Sequence, residues 1–191
     1  MTKTSLPLPS AQATEMRTLR RIVLLAFLAA GALVLQVSLS MLPNVELVSL
    51  WFLMLSLHLS FRESFLVVIL FTLLQALVWG VGDWVLGYLW VWSAWMILVK
   101  LLAPMIRASA FGWALLGGAF GMIFGLLFAL QHALLYGATM GYLYWLRGIS
   151  FDIVHAFSNY SLILILYTPL SRVMQQLFRK WDNYASNNQS R

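Results

Sequence analysis

The chain contains no cysteine, which removes disulfide frameworks, thiolate metal sites and cysteine nucleophiles at once. Charge is also scarce. Asp, Glu, Lys and Arg make up 9% of the 191 residues, against about 25% in soluble domains, whose surfaces must face water. So few charges cannot clothe a water-soluble fold. There is no GxxxxGK[ST] phosphate loop and no pair of adjacent acidic residues. ATP hydrolysis by the usual cradle, and activation of water by paired carboxylates, therefore lack their residues.

What remains is apolar. Hydrophobic residues make up 62% of the chain and the mean hydropathy is +0.85. Apolar runs recur at the length of about 20 residues that a helix needs to cross a bilayer. They are too numerous for a signal peptide, and the polar first 16 residues do not resemble one. The sequence therefore predicts an all-α membrane protein, a bundle of six transmembrane helices. The predicted spans are 17–41, 45–61, 64–81, 84–102 and 111–136, with a sixth from 151 that passes Pro169. Polar tails, 1–16 and 182–191, flank a single transmembrane domain at 17–181. Gly80, Val81, Gly82 and Asp83 read as a tight turn, and residues 137–150, rich in Gly and aromatics, as a longer irregular connection.

Six spans place Lys3, Arg17, Arg20, Arg21, Arg62, Lys100, Arg107, Arg172, Arg179, Lys180 and Arg191 on one side and Arg147 alone on the other. Cytoplasmic loops carry the excess of Lys and Arg, so both termini are expected in the cytoplasm. Topology thus accounts for the formal charge of +6 and the pI near 10. The basic residues form no stripe with interleaved aromatics, which argues against a nucleic-acid partner and leaves a weak attraction to anionic lipid.

With that topology Glu46, Asp83 and Asp152 fall on the external side, each at a predicted helix end. Capping is the plain use of such carboxylates, since they satisfy orphan N–H groups. The same side gathers Asn44, Trp79, Gln131, His132, Tyr136, Tyr142, Tyr144, Trp145 and Arg147. Trp84, Tyr88, Trp92 and Trp95 share one helix face, as do Asp152, His155 and Asn159. A lipid-interface belt explains Trp84, Tyr144 and Trp145. It explains less well an aromatic stripe descending to Trp95, or ionisable groups inside a span, which usually face a cavity. The expectation is an outward-open cavity between the fourth, fifth and sixth spans and the first loop. His58 reads as an interfacial or satisfied histidine. Gly117, Gly121 and Gly125, beside Gly118 and Ala114, form a row of small residues suited to close helix packing within the bundle.

Three segments carry a family resemblance: LPNVE at 42–46, residues 80–88, and GISFDIVH at 148–155. With these the chain resembles the substrate-binding S component of an energy-coupling factor (ECF) vitamin transporter, over residues 20–175. The resemblance implies a bacterial plasma-membrane subunit that binds a vitamin on the external side. It also implies a transmembrane T component and two cytoplasmic ATPase subunits as partners. Ala26 and Ala30 match the alanine pair with which such proteins dock on the T component. The LPNVE and SFDIVHAFSN segments are most similar to members assigned to cobalamin, with riboflavin or another heterocyclic vitamin second. By this resemblance the chain is a transport subunit and no enzyme, holding no cofactor besides its transported ligand and no metal. Two other readings compete. Phe128 and His132, with His155 and Asn159, resemble two motifs of CAAX-type membrane peptidases, but the required paired glutamates are missing. A non-transporting assembly factor is the third, and it predicts no high-affinity small ligand.

Overall fold

A computed structural model describes residues 11–187 of the chain. The described residues form six helices and no strand: α1 (Ala11–Ser38), α2 (Val48–His58), α3 (Phe61–Trp79), α4 (Trp84–Ile106), α5 (Ala110–Tyr136) and α6 (Ala138–Asn187). Five of them, all but α2, are long and apolar enough to cross a membrane. Their outward faces carry bare apolar side chains, among them Phe27, Leu77, Leu101, Leu134 and Ile165. Water would penalise such a surface at every turn, whereas lipid tails solvate it. The chain is a multi-pass membrane protein.

Several boundaries differ from the sequence expectation, each for a local reason. The second helix covers Val48–His58 instead of 45–61, about 16 Å of rise, too short for a bilayer core. Its neighbours explain why that is tolerated. Eight of its eleven residues are buried, and α2 packs on α1, α3, α4 and α6, so irregular backbone at either end meets protein instead of lipid. The fourth helix does not stop before Pro104. It runs to Ile106 and ends where Arg107 takes a positive φ of 55°. Residues 137–150 are not an irregular connection. Gly137, at φ 94°, reverses the chain by itself, and α6 begins at Ala138. At the termini α1 starts at Ala11 and α6 continues to Asn187, so part of each expected polar tail is helical. Residues 1–10 and 188–191 lie outside the described residues.

The α5–α6 hairpin is the tightest unit, and glycine makes it so. A Cβ on Gly121 would stand 2.8 Å from the backbone of His155 and Ala156, and one on Gly118 3.2 Å from Tyr160. At Gly117 it would run into Ile163. The small-residue row therefore serves packing within the chain. Deeper in the bundle Phe52, Phe71, Trp92, Trp95 and Phe120 interlock, with Trp95 stacked on Phe120 at 4.4 Å. The Trp95 indole donates to the Ser49 carbonyl at 3.0 Å, which satisfies the one polar group it buries. At the Arg21 end of the bundle, Arg21 pairs with Glu63 and ties α1 to α3. There Lys100 Nζ donates to the carbonyls of Ser56 and Leu59, placing a cation on the C-terminal dipole of α2. His58 sits at the same end, bonded to the Met54 carbonyl and stacked on Phe178 at 5.1 Å, a satisfied residue away from the cavity described below.

Candidate functional site

At the opposite end the α1–α2 loop, the α3–α4 turn and the α5–α6 hairpin surround an open cleft of about 1020 Å³. Its lining follows from helical spacing. α5 contributes Phe124, Phe128, His132 and Tyr136, four residues apart, together with Gly125. α6 contributes Tyr144, Gly148 and Asp152 on one face, flanked by Met140, Leu143, Arg147 and Phe151. Trp84 and Tyr88 come from α4, and Asn44 from the first loop, where it holds a positive φ of 57°. Asparagine tolerates that conformation better than most residues. Aromatic rings dominate the walls. Tyr88 meets Trp84 and Phe128 edge to face, and Tyr144 stacks on His132 at 4.0 Å.

Polar groups gather at two levels. Near the mouth, His132 Nδ1 lies 3.0 Å from the Phe128 carbonyl, so this nitrogen carries a proton. Its Nε2 is 3.5 Å from Asp83 Oδ2, which also accepts from the Tyr136 hydroxyl at 3.3 Å. Asp83 makes no side-chain cap on α4 and faces these two cleft residues instead. Arg147 is exposed on the wall and forms no ion pair among the described residues.

The deeper level is buried. His155 Nε2 donates to Glu46 Oε1 at 3.1 Å, and Glu46 Oε2 accepts from the Ser49 amide at 2.8 Å. Burial pushes the Glu46 carboxyl up, but the His155 hydrogen bond and charge, with the Ser49 amide, hold it below the ordinary carboxylate value. Asn159 Nδ2 donates to Ser49 Oγ at 3.0 Å. These bonds lock the first loop and the start of α2 onto α6. Asp152, 3% exposed, reaches across the hairpin so that its Oδ1 accepts from the Gly125 amide at 2.9 Å. It lies well inside α6 and so caps no helix end.

Of the residues singled out from sequence, Asn44, Trp84, Tyr88, His132, Tyr136, Arg147 and Asp152 line the cleft. Asp83, Glu46, His155 and Asn159 stand behind it as partners of other residues. Three fall elsewhere. Trp79 is 57% exposed on the outer surface, and Trp92, 2% exposed, is core beneath Tyr88 and Phe124. Gln131 accepts from the Trp90 indole and donates to the Asp83 carbonyl, bracing the α3–α4 turn. Sequence reasoning missed Phe124, Phe128, Gly148 and Phe151, and took Tyr144 for a belt residue. The spacing of four on α5 contained the signal, and on α6 it would have emerged had residues 138–150 been read as helix. Among the described residues, no group of three or more His, Asp or Glu is placed to hold a metal ion. Ala26 is exposed and Ala30 half-buried on the outward side of α1, while Leu25, Ala29 and Ala32 face the core. No family model, curated protein or solved structure matches the chain.

Proposed function

We propose that this protein is the substrate-binding membrane subunit of an ECF-type importer, with six spans, both termini in the cytoplasm and the cleft open to the outside. The observation that carries the reading is the cleft itself: about 1020 Å³, at the top of the range of about 300–1,000 Å³ that encloses drug-sized ligands. Its walls are aromatic, which suits a large conjugated ring compound. Glu46, Ser49, His155 and Asn159 behind them are already linked by hydrogen bonds, so much of the site is formed before the ligand arrives and loses little entropy on binding. Cobalamin is the substrate we favour, because the width and openness of the cleft suit a bulky ligand; riboflavin or another heterocyclic vitamin is second. Short connections at both ends suit a body that moves as a unit. The outward Ala26 and Ala30 leave a low ridge on α1 for a T component, and two cytoplasmic ATPase subunits would supply the energy.

Gly148 provides the test. A Cβ there meets nothing within 4 Å, in the wall of the cleft and in an ordinary helical conformation. Gly148→Trp should therefore project an indole into the cleft and obstruct it without disturbing the bundle. Protein purified in mild detergent is expected to bind cyanocobalamin or riboflavin, and this variant is expected to bind neither at an unchanged melting temperature. Equal binding by the two proteins would remove the cleft as the site.

A further inference from the structure

Among the described residues, Arg147 is the only Lys or Arg that lines the cleft. It stands exposed there and has no hydrogen bond or ion pair with any of them. Its neighbour Gly148 leaves open space on the same wall, so nothing at that position fences it off from the cleft. The carboxylates at this end are committed elsewhere. Asp83 takes His132 and Tyr136, and Glu46 takes His155 and the Ser49 amide. Asp152 takes the Gly125 amide, and its other oxygen is sealed from the cleft. A guanidinium keeps its charge at any ordinary pH and carries donors only. The other lining side chains without a hydrogen-bond partner among the described residues are Asn44, Trp84, Tyr88 and Tyr144. Each of these can donate, and none is an acid at neutral pH. A molecule entering the cleft therefore meets a positive charge and a set of donors, with no free carboxylate among them. Such a wall favours oxygen acceptors, anionic ones above all, and disfavours cations.

We propose that Arg147 pairs with an anionic oxygen group, a phosphate or carboxylate, borne by the molecule in the cleft beside its ring system. The proposal rests on the binding-subunit reading and narrows its substrate class, because neutral and cationic ring compounds forgo the one charged contact the wall offers. A phospholipid headgroup presents the same chemistry at a membrane surface, so the experiment has to separate the two sources.

Two matched pairs serve as probes: riboflavin 5′-phosphate against riboflavin, and cyanocobalamin, which carries a phosphodiester, against cobinamide, which lacks it. Wild type, Arg147→Gln and Arg147→Lys are titrated by calorimetry in delipidating detergent. Native mass spectrometry of the same proteins after addition of phosphatidylglycerol reads the lipid they retain. The phosphate-bearing member of whichever pair binds should bind Arg147→Gln about ten- to a hundredfold more weakly. Arg147→Lys, which keeps the charge but not the fork of donors, should fall between. The phosphate-free member should bind wild type and Arg147→Gln alike, and melting temperatures should agree because Arg147 braces nothing. Undiminished affinity of the phosphate-bearing member for Arg147→Gln overturns the assignment, and if that variant alone stops retaining phosphatidylglycerol, the anion is the lipid headgroup. Equal weakening of both members overturns it as well, making Arg147 a stacking partner of the ring. In each of these cases the binding-subunit reading stands. Failure of the wild type to bind any of the four probes overturns both.

Discussion

Glu46 shows how one side chain serves two elements. As a carboxylate in the first turn of a predicted helix it was legible as a cap, and, standing just ahead of α2, it does accept from the Ser49 amide. Its second oxygen takes His155, 109 residues along the chain, and no local pattern discloses such a partner. The pair is buried, so removing one member strands the other. Glu46→Gln keeps the cap but loses the charge, and should lower stability by about 1–3 kcal/mol, read as a fall in melting temperature at neutral pH. The sign of the pH effect follows from the lowered carboxyl pKa. The stabilisation is fully present above the unfolded value of 4.5 and is lost as pH falls through the lower folded value. The gap between wild type and Glu46→Gln should therefore close in acid. A gap that is absent at neutral pH, or widens in acid, would return Glu46 to capping alone.

Among the elements, the long apolar helices were readable because hydropathy reports directly on lipid exposure. α2 and the first half of α6 were misjudged because that signal says nothing about protein neighbours. Gly141 and Gly148 made residues 137–150 look irregular. Gly141 in fact lies against α5, where a Cβ would stand 2.5 Å from Ala133, and Gly148 opens onto the cleft. Glycine in membrane helices thus marks close approach as often as a turn. Two substitutions separate these roles. Gly121→Ala puts a methyl against the backbone of α6, which cannot rotate aside, and should destabilise by about 1–3 kcal/mol. Gly148→Ala has space around it and should gain up to about 1 kcal/mol from helix propensity. Thermal melts in one detergent compare them, and equal melting temperatures would contradict the packing described for the hairpin.

For the molecule as a whole, the asymmetry of Lys and Arg predicts an orientation in the membrane. The absence of cysteine makes this directly measurable, since any introduced thiol is the sole target. Met41 lies in the α1–α2 loop and Ala108 in the α4–α5 turn, both exposed and at opposite ends of the bundle. Met41→Cys should react with an impermeant maleimide on intact cells, and Ala108→Cys only after permeabilisation. The reverse pattern would invert the topology, and labelling of both from outside would break the six-span count. The site was legible in part for a related reason: the residues gathered at one end of the bundle were recognisable once the spans were laid out, but which of them face inward depends on helix rotation and on hairpin contacts between residues such as Gly125 and Asp152. Everything proposed for this end of the bundle requires the cleft to hold a small molecule. Mass spectrometry of compounds released from protein purified out of rich medium, wild type beside Gly148→Trp, decides whether it does. A stoichiometric ring compound, a corrinoid first, is expected in the wild type and none in the variant. An empty wild type that also binds neither cobalamin nor riboflavin, or the same compound retained by both proteins, would contradict it.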